Sequence, residues 1–258
     1  MLLAVDVGNT QTVLGVYRGK ELVHHFRVES ASSRTSDEYR VLLSQLMREI
    51  DLTPSAIDAC IMASVVPVLG ETFRIAIEKT FSVTTLIVGP GIRTGMPVLY
   101  DNPKEVGADR IVNAVAAFER FGGGAIVVDF GTATTFDCIS PKGEYLGGVI
   151  APGVRVSAEA LAQKAAKLPR AEIRKPQRVV GRNTLESMQS GFVYGYVALV
   201  DGLVARLKEE LNFPCAVIAT GGLARLIHSE STTIEELDDN LTLDGLRILF
   251  ERNCCDAA

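Results

Sequence analysis

The residues of this sequence whose chemistry is easiest to name lie near its beginning. Asp6 ends an apolar run and is followed by Gly8, Asn9 and Thr10. Small turn residues let backbone N–H groups approach an anion, while a carboxylate at the end of a strand can hold a cation. The segment therefore predicts a site for a phosphate group and magnesium. A plain hairpin turn uses the same residue types, so one copy does not separate the two interpretations.

A second copy of this pattern lies in the other half of the chain. Asp129 also ends a hydrophobic run, and Gly131, Thr132 and Thr135 follow it. A hydrophobic strand tolerates an aspartate poorly unless a counter-charge meets it. The repetition therefore favours the phosphate-binding interpretation of both copies.

Aligning the two aspartates extends the repeat. Gly8 then pairs with Gly131 and Thr12 with Thr135, and each copy continues as a strand, a turn and another strand. Self-similarity of this kind indicates duplication of a structural unit. The sequence therefore predicts two related domains.

The patterns around these segments predict α/β domains at residues 1–118 and 119–258. Thr35 and Glu38 have the spacing of a capping box that opens a helix ending near residue 50. The other predicted elements are strands at 2–8, 12–18, 21–29, 59–66 and 84–89, a helix-like segment between the last two, three strands after residue 124, helices at 156–167 and from Thr184 to about Leu211, a strand at 214–222 and two short final helices. The runs at 59–66 and 84–89 are typical of buried parallel strands.

The long predicted helix carries three glycines, Gly191, Gly195 and Gly202, which predict close packing against another helix. Its apolar residues fit either the core of one chain or an interface between two chains. Composition does not separate these alternatives.

A third candidate for chemistry is the segment Gly-Ala-Asp-Arg at 107–110. Pro103 and Gly107 precede an apolar-patterned helix and place Asp109 near its positive N-terminal end. An aspartate at this position often only stabilises the helix dipole. Arg110 fits either a residue that holds a substrate or an ordinary arginine on the helix surface. The residues alone leave these alternatives open.

The composition of the chain indicates which classes of partner it could bind. The formal net charge of −5 gives no basic surface for nucleic acid or an anionic membrane. The first residues lack the pattern of a signal peptide or a membrane helix, so we expect a cytoplasmic protein. Cys60, Cys138 and Cys215 lie in apolar runs and predict buried thiols, while Cys254 and Cys255 lie in a tail expected to be mobile.

Five segments together resemble one known family. No Walker-type GxxxxGK[ST] loop occurs, and no GxGxxG joins a strand to a helix. The segments are DVGNT at 6–10, YDNPKEVGADR at 100–110, DFGTATTFD at 129–137, GGVIAPG at 147–153 and GRNTLESMQSG at 181–191. They resemble the type III pantothenate kinases of the acetate and sugar kinase, actin-like superfamily.

The resemblance implies a fold and an activity. The fold would be two duplicated actin-like (ribonuclease H-like) domains, each with a mixed central sheet flanked by helices, with ATP in a cleft between them. The activity would be phosphorylation of pantothenate to 4′-phosphopantothenate, the first step of coenzyme A biosynthesis. The family is homodimeric, so a homodimer is expected.

The resemblance also implies roles for individual residues. Asp109 would be the general base, and Asp129 would hold a monovalent cation, potassium or ammonium, while Asp6 would be associated with magnesium. The residues implied for ATP are Asp6, Val7, Gly8, Asn9, Thr10, Gln11, Thr12, Val13 and Thr132, with Gly221 and Gly222 as the adenosine turn. Those implied for the acceptor are Tyr100, Gly107, Ala108, Asp109, Arg110 and Thr184, the last of which could instead be the N-cap of the long helix.

Two alternatives remain at this point. The paired nucleotide turns fit another small-molecule kinase of the superfamily, because a fold and a nucleotide site do not fix the acceptor. The second alternative is a regulator that senses a nucleotide without turning it over. The sequence has no helix-turn-helix pattern, which argues against a regulator that binds DNA.

Overall fold

The computed structural model describes residues 1–254, and Cys255 lies outside them. The described chain divides into two compact units. The first contains Met1–Pro97, Asp101–Ala116 and the C-terminal residues from Leu241, and the second contains Val98–Tyr100 and Ala117–Asn240. The C-terminal helix therefore groups with the first sheet, whereas the sequence-based division at residue 118 leaves it in the second domain.

The first unit is built on a five-stranded mixed sheet. Its elements are β1 (Leu2–Val7), β2 (Gln11–Arg18), β3 (Glu21–Glu29), α1 (Ser36–Glu49), β4 (Ala59–Ser64), α2 (Pro67–Phe81), β5 (Thr85–Ile87), the start of α3 (Ala108–Phe121) and α7 (Leu241–Cys254), with short 3-10 helices at Pro54–Ala56 and Pro103–Glu105. The strand order is β3-β2-β1-β4-β5, with β1 antiparallel to β2 and parallel to β4. The predicted opening meander and the parallel strands after it are confirmed.

The second unit has a sheet with the same plan. Its elements are β6 (Ala125–Phe130), β7 (Ala133–Ile139), β8 (Tyr145–Pro152), α4 (Val154–Lys164), α5 (Thr184–Leu211), β9 (Ala216–Gly221), α6 (Ala224–His228) and β10 (Glu236–Leu237). The order is β10-β9-β6-β7-β8, again an antiparallel meander extended by parallel strands. The two-residue strand β10 has no counterpart among the predicted elements.

Local sequence signals explain how several helices begin. The predicted capping box is present, since the Thr35 backbone N–H donates to Glu38 Oε2 at 2.7 Å and Glu38 N–H donates to Thr35 Oγ1 at 3.3 Å. Proline at the first position opens α2, where a missing N–H costs nothing. These signals act over one turn of chain, so they are visible without tertiary structure.

Each unit has its own apolar core. In the first, Leu3, Val5 and Phe73 belong to a buried cluster to which β1, β2, β4, α1 and α2 all contribute. In the second, Val128 and Phe192 belong to a cluster that β6, β9, α4 and α5 share. These cores fix the central strands, and the candidate aspartates lie at the ends of those strands.

The helix α5 differs from the prediction in one respect. A Cβ atom at Gly191 or Gly195 would meet nothing within 4 Å, so no helix of the described chain packs closely there. By length and composition alone α5 could cross a membrane, but a core helix passes the same test. The side chains of Phe192, Val200 and Val204 on α5 belong to the core of the second unit.

The three cysteines predicted to be buried are confirmed as buried thiols. Burial raises the pKa of Cys60 to about 12 and also raises the pKa of Cys215. A thiol with a raised pKa is a poor nucleophile at neutral pH, because the thiolate is the reactive form. Cys254 is the last residue of α7 and is exposed.

Candidate functional site

The first aspartate turn joins β1 to β2. Asp6 is opposite Val13 in the sheet, and Val7 is opposite Thr12, which leaves residues 8–11 as the connecting turn. The turn is closed by Gly8 N–H, which donates to the Gln11 carbonyl oxygen at 3.1 Å. A Cβ at Gly8 would lie 2.8 Å from that same oxygen, so only glycine fits this closure without displacement.

Ser30, which directly follows β3, is hydrogen-bonded to this turn and to Thr12 next to it. Thr12 is fully buried, and its Oγ1 lies 2.9 Å from Ser30 Oγ. Ser30 N–H also donates to the Thr10 carbonyl oxygen at 3.0 Å. The side chains of Asn9 and Thr10 remain exposed, so the turn presents polar groups to solvent on a fixed backbone.

The second aspartate turn joins β6 to β7 and is one residue shorter. Phe130 is opposite Thr134 and Asp129 is opposite Thr135, so residues 131–133 form the turn. The structural counterpart of Thr12 is therefore Thr134, and the predicted pairing of Thr12 with Thr135 is wrong by one residue. The cause is the different length of the two turns, which a gap-free alignment of the aspartates cannot show.

Two glycine backbones support the second turn. Gly153 N–H donates to the Thr132 carbonyl oxygen at 3.1 Å, and a Cβ at Gly153 would overlap that oxygen. Gly221 ends β9 with φ of +94°, and a Cβ there would lie 2.5 Å from Asp129 Oδ1. The structure thus brings Asp129, Thr132 and Gly221 together, while the neighbouring Gly222 is exposed.

Asp109 lies in the first turn of α3, as the sequence predicted. Its Oδ1 accepts a hydrogen bond from the Arg110 backbone N–H at 2.8 Å. A Cβ at Gly107 would lie 2.5 Å from the same oxygen, so the missing side chain makes room for the carboxylate. Burial raises the pKa of Asp109, although the Arg110 N–H and the Arg110 charge oppose that change. A carboxyl group with a raised pKa is a better proton acceptor.

Arg110 is not the ordinary surface residue that its pattern allowed. Its exposed fraction is 8%, and it directly follows Asp109 on α3. A buried guanidinium keeps its charge, so it brings a fixed positive charge to the start of this helix. Ala108 and Gly107 are partly buried beside it.

The remaining acceptor candidates lie in the second unit. Tyr100 is on the short segment 98–100 next to β8, with 36% of its surface exposed. Thr184 is the first residue of α5 and is exposed, and the N-cap is Asn183, whose side chain accepts from Glu186 N–H at 2.9 Å. The alternative that Thr184 caps the helix is therefore wrong.

The carboxylates of the two aspartate turns could hold a metal ion only together with other ligands. Among residues 1–254, no three His, Cys, Asp or Glu side chains gather so that they could hold a metal ion. Asp6 and Asp129 are each one carboxylate at a strand end. Magnesium commonly takes one or two carboxylates and completes its shell with phosphate oxygens and water. Single carboxylates beside turns that are predicted to bind phosphate fit that pattern.

Sequence reasoning missed the residues that support these turns. Gly153 was noted only within a resembling segment, and Ser30 was not noted. The available signals were weak: a glycine directly before α4, and a serine directly after β3. Their roles depend on which strand ends are neighbours.

Comparisons with known proteins point in the same direction. The family model described as type III pantothenate kinase matches residues 2–206. A type III pantothenate kinase from Myxococcus xanthus is 58% identical over 253 residues, which cover 98% of this chain and 99% of that protein. The match includes all the candidate segments described above.

Solved structures of more distant proteins share the fold. A candidate Baf family transcriptional activator from Campylobacter jejuni has a TM-score of 0.62 at 18% identity, covering 97% of this chain and 98% of that one. A ROK hexokinase from Thermus thermophilus has a TM-score of 0.54 at 13% identity and covers 99% of each chain. At such identities the likeness concerns the fold alone, and it confirms the predicted class of two actin-like domains.

Proposed function

Because the chain belongs to the type III pantothenate kinase family, we propose that it transfers the γ-phosphoryl group of ATP to pantothenate, giving 4′-phosphopantothenate and ADP. This is the first step of coenzyme A biosynthesis. The observation that carries the proposal is the match to curated relatives, at 58% identity over 98% of the chain. That match spans both the aspartate turns and the Asp109 segment, so it covers nucleotide and acceptor candidates together.

The proposed chemistry assigns the proton to Asp109. The pantothenate hydroxyl oxygen attacks the γ-phosphorus, the bond from that phosphorus to the bridging oxygen of ADP breaks, and the hydroxyl proton passes to the Asp109 carboxylate. A positioned base of this kind orients the attacking hydroxyl in phosphoryl transfer. The room left by Gly107 and the raised pKa of Asp109 support the assignment. Arg110 holds the acceptor or the transferring group, with Tyr100 and Thr184 as further acceptor contacts.

The proposed nucleotide contacts follow the two turns. Residues 6–13 bind the phosphates of ATP, Thr132 contacts ATP, and Gly221 and Gly222 contact the adenosine. Asp6 holds magnesium, which when bound neutralises phosphate charge. Support comes from the exposed polar side chains of these turns, which are Asn9, Thr10 and Thr132.

Three further features belong to the proposal. Asp129 holds a monovalent cation, potassium or ammonium, which offsets phosphate charge.

The protein is a homodimer in the cytoplasm, and α5 contributes to the interface. The exposed Gly191 and Gly195, with open space around them, support that use of α5. Light scattering in solution tests it, and a monomeric mass would contradict it.

The first test of the function measures ADP release with and without pantothenate. A pantothenate kinase releases ADP only when pantothenate is present. Release with a sugar or another acid in its place would favour a different kinase of the superfamily. Nucleotide binding without any release would favour a sensor.

The second test replaces Asp109 by asparagine, with Asp37→Asn as the matched control. Asp37 is also an aspartate in the first turn of a helix, α1, but it is exposed and has no proposed catalytic role. Loss of the base should reduce kcat about 10²- to 10⁴-fold, while ATP binding and the Asp37→Asn rate stay near wild type. A near wild-type rate for Asp109→Asn would reject the assigned base.

The pH dependence gives an independent check of Asp109. Burial raises its pKa in the folded protein, so the acid limb of kcat/KM should lie above the value of an exposed aspartate, about 3.9. The raised pKa also affects stability. Burial destabilises the ionised carboxylate, so the contribution of Asp109 to the free energy of unfolding falls as pH rises through its folded-state pKa. Asp109→Asn should therefore unfold at the same or a higher urea concentration at pH 7, even though its rate is lost.

A further inference from the structure

One buried carboxylate of the second unit has no part in the proposed chemistry. Asp137 on β7 has no exposed surface. Its Oδ1 accepts a hydrogen bond from the Tyr145 hydroxyl at 2.7 Å, and its Oδ2 accepts one from Thr135 Oγ1 at 3.3 Å. Burying a carboxylate is costly unless strong hydrogen bonds compensate for the lost water. The Asp137–Tyr145 pair therefore holds the fully buried Tyr145 side chain in one orientation.

Tyr145 also holds the backbone that leads to Tyr100. Leu99 N–H donates to the Tyr145 carbonyl oxygen at 2.8 Å, and Val98 forms an isolated parallel bridge with Tyr145. The segment 98–100 is thus attached to the first residue of β8. A residue next to such an attachment has little freedom to move along the strand.

The ring of Tyr100 lies over the same part of β8. Its centroid is 6.5 Å from that of the Tyr145 ring, with the two planes inclined by 55°. Two of its ring carbons would lie 3.4 Å from a Cβ at Gly147, which has φ of +113°. Gly147 therefore offers a surface without a side chain, and Tyr145 packs beside it.

We infer that Tyr145, held by Asp137, is a positioning residue that fixes Tyr100 for the acceptor substrate. The inference rests on the proposed function, in which Tyr100 contacts pantothenate. Tyr145 is itself buried and acts through the Leu99 hydrogen bond and the ring contact. Its loss should affect binding of the acceptor and leave the nucleotide side of the reaction unchanged.

The experiment measures steady-state kinetics of Tyr145→Phe with each substrate varied in turn. The change removes the hydrogen bond from the Tyr145 hydroxyl to Asp137, which orients the Tyr145 ring beside Tyr100. KM for pantothenate should rise about fivefold or more, with kcat and KM for ATP within about twofold of wild type. A merely structural role would change the active fraction, and so kcat, without this selective effect on KM. An unchanged KM for pantothenate, or an equal rise in both KM values, would overturn the inference.

A double-mutant cycle tests whether Tyr145 acts through Tyr100. Tyr100→Ala should raise KM for pantothenate, and adding Tyr145→Phe to it should cause no further rise. Additive effects would overturn the inference. If Tyr100→Ala has no effect, the proposed Tyr100 contact itself fails. If Tyr100→Ala acts but Tyr145→Phe does not, only the positioning role fails.

A second variant changes the backbone that the Tyr100 ring contacts and serves if Tyr145→Phe does not fold. Gly147→Ala brings a methyl group to 3.4 Å from the Tyr100 ring at a φ of +113°, which disfavours a side chain, so the backbone must shift and KM for pantothenate should rise selectively. Its control is Gly91→Ala, which has a similar φ of +97° but whose added Cβ would meet nothing within 4 Å. A selective rise in Gly147→Ala alone supports the role. An equal change in both variants, or none in either, would overturn it.

Discussion

The two aspartate turns follow one plan but are supported in different ways. The turn at residues 8–11 is closed by its own Gly8–Gln11 hydrogen bond and is also hydrogen-bonded to Ser30, which directly follows β3. The turn at 131–133 is shorter and lies against the backbones of Gly153 and Gly221. Duplication thus preserved the strand order, while each copy acquired its own support.

The difference shows where each turn is sensitive to substitution. The first turn depends on hydrogen bonds made by its own residues and by the adjoining strand. The second depends on glycines that are distant in sequence and tolerate no added side chain. Equivalent substitutions in the two turns should therefore have unequal effects.

The largest expected effect on stability is that of Gly221→Ala. The new methyl group would lie 2.5 Å from Asp129 Oδ1 and 2.7 Å from the Phe130 nitrogen, at a φ that favours glycine. We expect the free energy of unfolding to fall by about 2–4 kcal/mol, measured by urea denaturation. Gly91→Ala is the control, since its φ of +97° is nearly the same but its added Cβ would meet nothing within 4 Å, so it should cost only the smaller backbone strain. Equal effects of the two changes would remove the claimed support of the second turn.

The two aspartates should differ in the cation to which they respond. Asp129→Asn should abolish the activation of the rate by potassium or ammonium over sodium. Asp6→Asn should weaken the apparent affinity for magnesium about tenfold or more, because the proposed ligand loses its charge. Titrations of each salt at saturating ATP measure both. If the two variants respond alike to both ions, the division of roles between the turns is wrong.

The glycines of the two turns should respond differently to a methyl group. A Cβ at Gly8 would lie 2.8 Å from the Gln11 oxygen, whereas the nearest atom to a Cβ at Gly131 is at an ordinary 3.5 Å. Gly8→Ala should lower the free energy of unfolding by about 1–2 kcal/mol, and Gly131→Ala by less than about 0.5 kcal/mol. A costlier Gly131→Ala would reverse the comparison.

The smallest effects are expected at the matched threonines Thr12 and Thr134. Both are fully buried, but Thr12 Oγ1 pairs with Ser30 Oγ, whereas Thr134 Oγ1 has no hydrogen-bond partner within residues 1–254. Thr12→Val should cost about 1 kcal/mol, while Thr134→Val should be neutral or slightly stabilising. Thermal unfolding of the two variants measures the difference, and a destabilised Thr134→Val would show that its hydroxyl is satisfied by a group such as bound water.

The sequence by itself determined the local structure of this protein. The meander of β1–β3, the capping box at Thr35 and the span of α5 from Thr184 to Leu211 follow from patterns within a few residues of each other. Asp109 at the start of α3 follows from the same kind of signal. Such elements are specified by turn residues, caps and hydrophobic period, which need no distant partner.

Only the tertiary structure decided which residues support the candidate site. The one-residue difference between the turns, the burial of Arg110 and the contact of Gly221 with Asp129 all depend on neighbours in the fold. The grouping of α7 with the first sheet joins residues more than 200 positions apart, as when the Tyr17 hydroxyl donates to Asp244 Oδ1. Packing and strand register fix such contacts, and a local sequence pattern carries no information about either.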